Sequence, residues 1–139
     1  MANEFISYPR TETAMYQRTV LIVEDEFLIR MVLADTLCDE GYEVLQAGNV
    51  LEAIAFIGQR KVDAVITDVD MPGCLSGLDL ARIMSVKHSN VPVIVVSGGH
   101  QLRQEDMLGE AVFIPKPYSV TDIASMIDEM TSIDKRRRA

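Results

Sequence analysis

Five short apolar runs, separated by longer segments with helical periodicity, constrain the fold of this chain more than any other feature. The strands that these runs predict span residues 19–23, 42–47, 64–67, 91–96 and 111–114. Most of the runs lack the polar alternation of a half-exposed strand, so we expect helices to bury them on both faces. The sequence therefore predicts an α/β fold, a doubly wound sheet of five parallel strands in the flavodoxin-like order 2-1-3-4-5.

Helices are predicted wherever apolar residues recur at intervals of three and four positions. They cover residues 26–40, 50–57 and 76–86 and the stretch after Ser119. The apolar face of the first helix is predicted to carry Ile29, Val32, Leu33 and Leu37. Gly41 is placed to end that helix, and Asn49 to cap the second. Ser119 and Asp122 resemble a capping box for the last helix. Residues 101–110 are polar, so the fourth helix is expected to be short or irregular.

The length of 139 residues allows one domain and little else. Residues 1–17 show no sustained period and are expected to form a flexible N-terminal arm. Residues 18–134 form the predicted domain, and residues 135–139 a basic C-terminal tail. Cys38 and Cys74 are too few for a disulfide framework, so both are expected to be reduced thiols of a cytoplasmic protein.

The distribution of charge argues against binding to nucleic acid. The net charge is −8, and four of the 13 positive side chains lie together at residues 135–138. The remaining residues carry nine positive side chains against 21 negative ones, a net charge of −12, which repels a phosphate backbone. The sequence shows neither a signal peptide nor an apolar stretch of membrane-spanning length, so no membrane insertion is expected.

The residues best suited to bind a ligand or to react fall at the ends of four predicted strands. The first strand is followed by Glu24 and Asp25, the third by Asp68, the fourth by Ser97 and the fifth by Lys116. Ligands of open α/β sheets bind at the carboxyl ends of the strands, which share one edge in a parallel sheet. We therefore expect three acids, a hydroxyl group and an ammonium group in one place.

Three neighbouring carboxylates repel one another unless a cation lies among them. A hard divalent ion such as Mg²⁺ (or Mn²⁺) suits them, because it binds few carboxylates together with waters and phosphate oxygens. Lys116 can neutralise one phosphoryl oxygen, and the Ser97 hydroxyl can donate a hydrogen bond to another. The set suits phosphoryl transfer, which depends on positioning and charge neutralisation. Asp68 is the candidate nucleophile, since aspartyl phosphates are a known covalent form.

With these residues in view, the chain from 19 to 133 resembles a response-regulator receiver domain of two-component signalling, of the stand-alone type. The motifs that carry the resemblance are Val23-Glu24-Asp25, residues 67–73 (TDVDMPG), Val96-Ser97-Gly98, Lys116-Pro117 and Gly41-Tyr42-Glu43-Val44. The resemblance implies a signalling protein and not an enzyme, apart from self-catalysed phosphotransfer and slow autodephosphorylation. It also implies an unidentified downstream protein target and a monomer or weak dimer.

The resemblance assigns a role to each candidate residue. Asp68 would accept a phosphoryl group from a phosphohistidine on a sensor histidine kinase or phosphotransfer protein. The resemblance implies that Asp25 and Asp68 bind the metal directly, Asp70 through its backbone carbonyl, and Glu24 through water. Lys116 and Ser97 would contact the phosphoryl oxygens. Ser97 and Phe113 would form the switch, in which the aromatic ring moves inward when the hydroxyl is drawn to the phosphate.

Two departures from the family pattern concern the surface that would signal onward. The loop at residues 71–77 is one residue longer than the common pattern. The stretch between Ser97 and Lys116 is a few residues shorter and lacks the usual Gly-Ala turn. The resemblance therefore predicts the phosphorylation chemistry, whereas the output surface is not predicted.

Two other functions are compatible with parts of this pattern. Asp68-Val69-Asp70 is also the D-x-D of haloacid-dehalogenase-type phosphohydrolases, although the acids at 24 and 25 precede it and there is no room for a cap domain. A receiver-like fold can also serve as an interaction module that is never phosphorylated. Such modules usually lack part of the acid set or the lysine, and here every member is present.

Overall fold

The computed structural model describes residues 17–99 and 111–132, which form an α/β unit. Its strands are β1 (Thr19–Val23), β2 (Glu43–Ala47), β3 (Ala64–Asp68), β4 (Val93–Ser97) and β5 (Ala111–Pro115). Its helices in these residues are α1 (Phe27–Asp39), α2 (Val50–Gln59), α3 (Gly77–Lys87) and α4 (Val120–Thr131). All neighbouring strands pair in parallel in the order β2-β1-β3-β4-β5, so the predicted fold class is confirmed.

The sheet separates two apolar layers, as a doubly wound fold requires. Every residue of β1, β3 and β4 is buried, whereas the edge strands β2 and β5 are only partly buried. On one face, Leu21 and Val95 pack with buried residues of α2 and α3. On the other face, Ile22 and Ile94 pack with buried residues of α1 and α4. Alternate side chains of the central strands thus enter opposite layers. This alternation fixes the face of the sheet on which the last side chain of each strand lies.

The ends of the first two helices follow the predicted chemistry. Gly41 has a φ of +99°, a left-handed conformation that favours glycine, and its N–H donates to the carbonyl of Cys38 at 3.0 Å. The N–H of Tyr42 donates to the Leu37 carbonyl at 3.1 Å, which completes the end of α1. At α2, the Asn49 side chain accepts a hydrogen bond from the backbone of residue 52 at 2.9 Å.

Some local predictions need correction. Val32 was expected to face inward, but its side chain is 53% exposed, while Ala34 is buried beside Leu33 and Leu37. A capping box occurs at Ser76, where the hydroxyl and the Asp79 carboxylate each accept a backbone hydrogen bond, although the sequence analysis did not predict it. β4 begins at Val93 instead of residue 91, after a proline that cannot donate to the ladder.

Several predictions fall outside the described residues. They concern the N-terminal arm at 1–17 except Gln17, the weak helix at 101–110, and the basic tail at 135–139. Within the described part, Cys38 and Cys74 are both exposed and free of disulfides, as expected. None of the helices in that part combines the length and the apolar character needed to cross a membrane.

Candidate functional site

The acidic residues predicted from three separate stretches of sequence meet at the carboxyl edge of the sheet. Asp68 ends β3 beside Val96 of β4, while Glu24 and Asp25 follow the adjacent strand β1. One carboxylate oxygen from each of Glu24, Asp25 and Asp68 lies within 4.8 Å of the others. Glu24 and Asp68 are buried and Asp25 is exposed, so the cluster opens to solvent on the side of Asp25.

The two oxygens of Asp68 have different partners. Oδ1 accepts a hydrogen bond from the Val69 backbone N–H at 2.8 Å. Oδ2 accepts one from the Nζ atom of Lys116 at 3.2 Å. The Asp68 side chain is 9% exposed and that of Lys116 is 30% exposed, so the ion pair is largely shielded from solvent. These contacts orient the carboxylate while leaving the ammonium group within reach of a ligand.

Lys116 remains charged in spite of its partial burial. Burial by itself lowers the pKa of the ammonium group, but the hydrogen bond and the charge of Asp68, with help from Glu24, raise that pKa above its ordinary value. Its backbone N–H donates to the Ser97 carbonyl at 3.0 Å, which ties the end of β5 to the end of β4. The site therefore holds a fixed positive charge opposite the three acids.

Glu24 is the most deeply buried acid of the cluster, at 3% exposure. Burial raises the pKa of its carboxyl group, and the negative charges of Asp68 and Asp25 act in the same direction. The Glu26 backbone N–H, which donates to Oε2 at 3.0 Å, and the Lys116 charge oppose that rise. A further positive charge placed among the three carboxylates would relieve the same repulsion.

The donor set suits Mg²⁺. The three clustered side chains offer only hard carboxylate oxygens, the ligand type that this ion prefers. Asp70 is also close in sequence, but its side chain is exposed and is not part of the carboxylate cluster found in the described residues. That Asp70 would bind the metal through its backbone carbonyl stays a prediction.

Ser97 and Phe113 lie on one face of neighbouring strands. Ser97 is buried and ends β4, where it pairs with Pro115 of β5. Phe113 is half-buried and pairs with Val95, which is two residues before Ser97 on the same strand. Since alternate residues of a strand share a face, Ser97 and Phe113 lie on the same side of the sheet.

Gly77 is a site residue that the sequence analysis missed. It is the first residue of α3, and its N–H donates to the Val69 carbonyl at 2.9 Å. A Cβ atom at this position would collide with the Asp68 carbonyl oxygen and would lie 2.9 Å from Oγ1 of Thr67. The only available signal was a glycine at a predicted helix start, which is too common to identify a contact with the site.

An apolar groove of 590 Å³ adjoins the acid cluster. Leu28 and Val32 of α1 form one wall, and Pro117 and Val120 form the other, with Lys116 at the end. Leu28 is 70% exposed and Val32, on the same helix, is 53% exposed, so both present apolar surface to this groove.

A sequence model of the response regulator receiver domain matches residues 20–128, nearly all of the described part. This chain belongs to the response regulator receiver domain family. Receiver domains accept phosphoryl groups from histidine kinases or phosphotransfer proteins and generally bind Mg²⁺. The fold and the acidic pocket found here are therefore consistent with those of a signalling domain.

Curated relatives of this receiver domain include both short and long proteins. Sporulation initiation phosphotransferase F of Bacillus subtilis is 28% identical over 116 residues, which are 81% of this chain and 93% of that protein. Transcriptional regulatory protein PdtaR of Mycobacterium tuberculosis is 37% identical over 128 residues, which are 86% of this chain and 60% of that protein. The chain thus spans less than two thirds of the second relative.

A solved structure similar to this receiver domain is that of response regulator protein TrrA from Thermotoga maritima, in complex with Mg(2+)-BeF. Its identity is 26% and its TM-score 0.71, and the match covers 82% of this chain and 99% of that one. The family match favours phosphorylation-dependent signalling over a phosphohydrolase and over a module that is never phosphorylated.

Proposed function

We propose that this receiver domain is a phosphorylation switch in which Asp68 accepts a phosphoryl group from a phosphohistidine. The observation that carries the proposal is that Asp68 contacts Lys116 on one side and lies beside the other two acids of the cluster, Glu24 and Asp25. An Asp68 oxygen would form the new bond to phosphorus as the bond from phosphorus to the imidazole nitrogen breaks. The donor would be a histidine kinase or a phosphotransfer protein.

The acids of the site would hold one Mg²⁺ (or Mn²⁺). Asp25 and Asp68 would bind it directly, the backbone carbonyl of Asp70 would be a third ligand, and Glu24 would act through water. When bound, the ion supplies positive charge beside the transferred phosphoryl oxygens. The exposure of Asp25 supports this assignment, because the cluster is then accessible from solvent on one side. The Mg(2+)-BeF complex of the TrrA structure supports it as well.

Lys116 and Ser97 would contact the remaining phosphoryl oxygens. The Nζ atom of Lys116 already lies 3.2 Å from Asp68, so a group bonded to that carboxylate would come within its reach. The position of Ser97 at the carboxyl end of β4, the strand next to β3, supports a contact from its hydroxyl.

The apolar groove supports a protein as the phosphodonor. It lies next to Lys116 and offers Leu28 and Val32 as exposed contacts on the route to Asp68. A small phosphate ester needs no such surface, whereas a protein that presents a phosphohistidine must bury apolar area to dock. This arrangement supports the histidine kinase or phosphotransfer protein over a generic phosphate ester.

We also propose that Ser97 and Phe113 transmit the signal. Phosphorylation can shift a conformational equilibrium only through contacts that differ between the two states. The shared face of Ser97 and Phe113 supports a coupled movement in which the hydroxyl turns to the phosphoryl group and the ring occupies the space it leaves. Hydrogen exchange with Mg²⁺ and beryllofluoride should change the protection of β5 in the parent and not in Ser97→Ala. Equal changes in both proteins would contradict the role of Ser97.

The phosphoacceptor is tested by intact mass after incubation with acetyl phosphate and Mg²⁺. The parent should gain the mass of one phosphoryl group, whereas Asp68→Asn, which keeps the shape of the side chain, should gain none. Asp70→Asn is the matched control and should be labelled, because its carboxylate lies outside the cluster. Labelling of a folded Asp68→Asn variant would refute the assignment. Turnover of p-nitrophenyl phosphate by the parent would favour the phosphohydrolase instead.

A further inference from the structure

Arg30 links three elements beside the acid cluster, and neither the sequence motifs nor the proposed phosphoryl chemistry gives it a role. Its Nη1 atom donates to the backbone carbonyl of Glu24 at 2.6 Å. Its Nε atom donates to the side-chain oxygen of Gln46, on β2, at 3.2 Å. Its guanidinium group lies over the ring of Phe27 at the start of α1, 5.6 Å from the ring centroid.

The carbonyl that Arg30 holds belongs to the peptide group joining Glu24 to Asp25, the two clustered acids that follow β1. Two other hydrogen bonds restrain the same residue. The backbone N–H of Glu24 donates to the Ala47 carbonyl at 3.0 Å, and its carboxylate accepts from the Glu26 N–H at 3.0 Å. Neither of these two hydrogen bonds contacts the peptide group that leads into Asp25. Arg30 supplies that contact.

An arginine suits this task better than other side chains. The guanidinium group is planar and offers several N–H donors in a fixed arrangement, so it can bond to a carbonyl and an amide oxygen at once. Hydrogen bonds from a charged donor are about twice as strong as those between neutral groups. The contact between the guanidinium group and the aromatic ring of Phe27 limits the movement of the side chain.

Groups that orient metal ligands through hydrogen bonds tune affinity even though they never touch the metal. Asp25 is exposed, and no hydrogen bond or ion pair from another described residue restrains its carboxylate, so its direction depends on the backbone from which it extends. We propose that Arg30 is a positioning residue that fixes the Glu24–Asp25 peptide in the orientation that the Mg²⁺ site requires. This inference rests on the proposed function, because it assumes that the acid cluster binds the ion.

The test compares Mg²⁺ affinity, measured by titration calorimetry, with thermal stability measured in the absence of metal. Arg30→Gln removes the charge and the forked donor, and we expect it to weaken Mg²⁺ binding about tenfold. Arg30→Lys keeps the charge and one donor, and its affinity should fall between those of Arg30→Gln and the parent. Arg82→Gln is the matched control, since Arg82 is an exposed helical arginine paired with Asp79 at 3.1 Å, and it should bind Mg²⁺ as the parent does.

A purely structural role would lower the melting temperature of Arg30→Gln without changing its Mg²⁺ affinity, and that result would overturn the proposal. If Arg30→Gln does not fold, Gln46→Ala removes one anchor of the guanidinium group at an exposed position of β2. Weaker Mg²⁺ binding by Gln46→Ala would then support the proposal, and parent-like binding would overturn it. Failure of the parent itself to bind Mg²⁺ would refute the proposed metal site, an outcome separate from an unchanged affinity in Arg30→Gln.

Discussion

Lys116 contacts Asp68 across the intervening strand β4, with its Nζ atom 3.2 Å from Oδ2 of the carboxylate. The contact joins the end of β5 to the end of β3 at the point where the acids of the site converge. An acid cluster is costly to bury without a cation, and in the described residues this ammonium group is the cation that touches it. Lys116 thus pairs with the cluster without metal and, in the proposed function, would also meet the incoming phosphoryl group.

Replacement of Lys116 should separate these two roles. We expect Lys116→Gln to lower the free energy of unfolding by about 1 kcal/mol without Mg²⁺, a value reduced from that of a fully buried pair because the lysine is partly exposed. The same variant should bind Mg²⁺ more tightly, because the ammonium group and the metal repel each other at Asp68. Urea denaturation and titration calorimetry measure the two effects. Lys87→Gln, at the exposed end of α3, is the control. Weaker Mg²⁺ binding by Lys116→Gln would contradict the expected competition.

Mg²⁺ itself should stabilise the folded protein. Binding to the folded state alone adds about 1.4 kcal/mol when the free ion is at ten times its dissociation constant, a rise of a few degrees in melting temperature. We expect Asp25→Ala to remove most of this rise, because Asp25 is the exposed ligand of the cluster. Differential scanning calorimetry with and without millimolar Mg²⁺ measures the shift. An equal rise in Asp25→Ala and the parent would show that the ion binds elsewhere.

The strand ends could be predicted from the sequence because two strong signals coincide there. Buried β-branched runs identify β1, β3 and β4, and the polar residues that interrupt them mark the edge of the sheet. Parallel pairing then brings Glu24, Asp68 and Lys116 together even though the first and the last are 92 positions apart in the sequence. The prediction of the site depended on the topology of the sheet, since no single residue type identified the site by itself.

Other features depend on packing that periodicity does not encode. Val32 fits the apolar stripe of α1 as well as Ala34 does, and only the position of the helix on the sheet decides which one is buried. Gly77 is required by the proximity of the Asp68 carbonyl, a contact between a helix start and a strand end. Arg30 acts through a backbone carbonyl, and a carbonyl has no sequence signature.

The buried acid Glu24 should produce a specific pH dependence. Its pKa is raised above the ordinary value of 4.5, chiefly by burial, so the folded state holds this proton more tightly than the unfolded chain does. The contribution of Glu24 to the free energy of unfolding therefore falls as the pH rises from 4.5 through the folded-state pKa. Without metal, Glu24→Gln should be more stable than the parent at pH 7, and the difference should vanish below the ordinary pKa.

Glu43 provides a control of opposite sign for that experiment. Hydrogen bonds from Arg60 and Thr19 lower the pKa of its carboxyl group, so its stabilising effect is present above the ordinary pKa and is lost as the pH falls. Glu43→Gln should therefore be less stable than the parent at pH 7. The comparison is made by urea denaturation across the pH range. A Glu24→Gln variant that is less stable than the parent at pH 7 would show that burial does not dominate at this position.

The contact between Gly77 and Asp68 predicts a steric effect that a matched glycine does not share. Gly77→Ala would force a methyl group against the Asp68 carbonyl, and overpacking of this kind costs about 1–3 kcal/mol. The displaced carbonyl belongs to the proposed phosphoacceptor, so labelling by acetyl phosphate should also slow. Gly58→Ala, within α2, meets no atom inside 4 Å and should instead stabilise the protein by about 0.5 kcal/mol. Denaturation of both variants measures the contrast, and normal stability with normal labelling in Gly77→Ala would show that the start of α3 moves aside without cost.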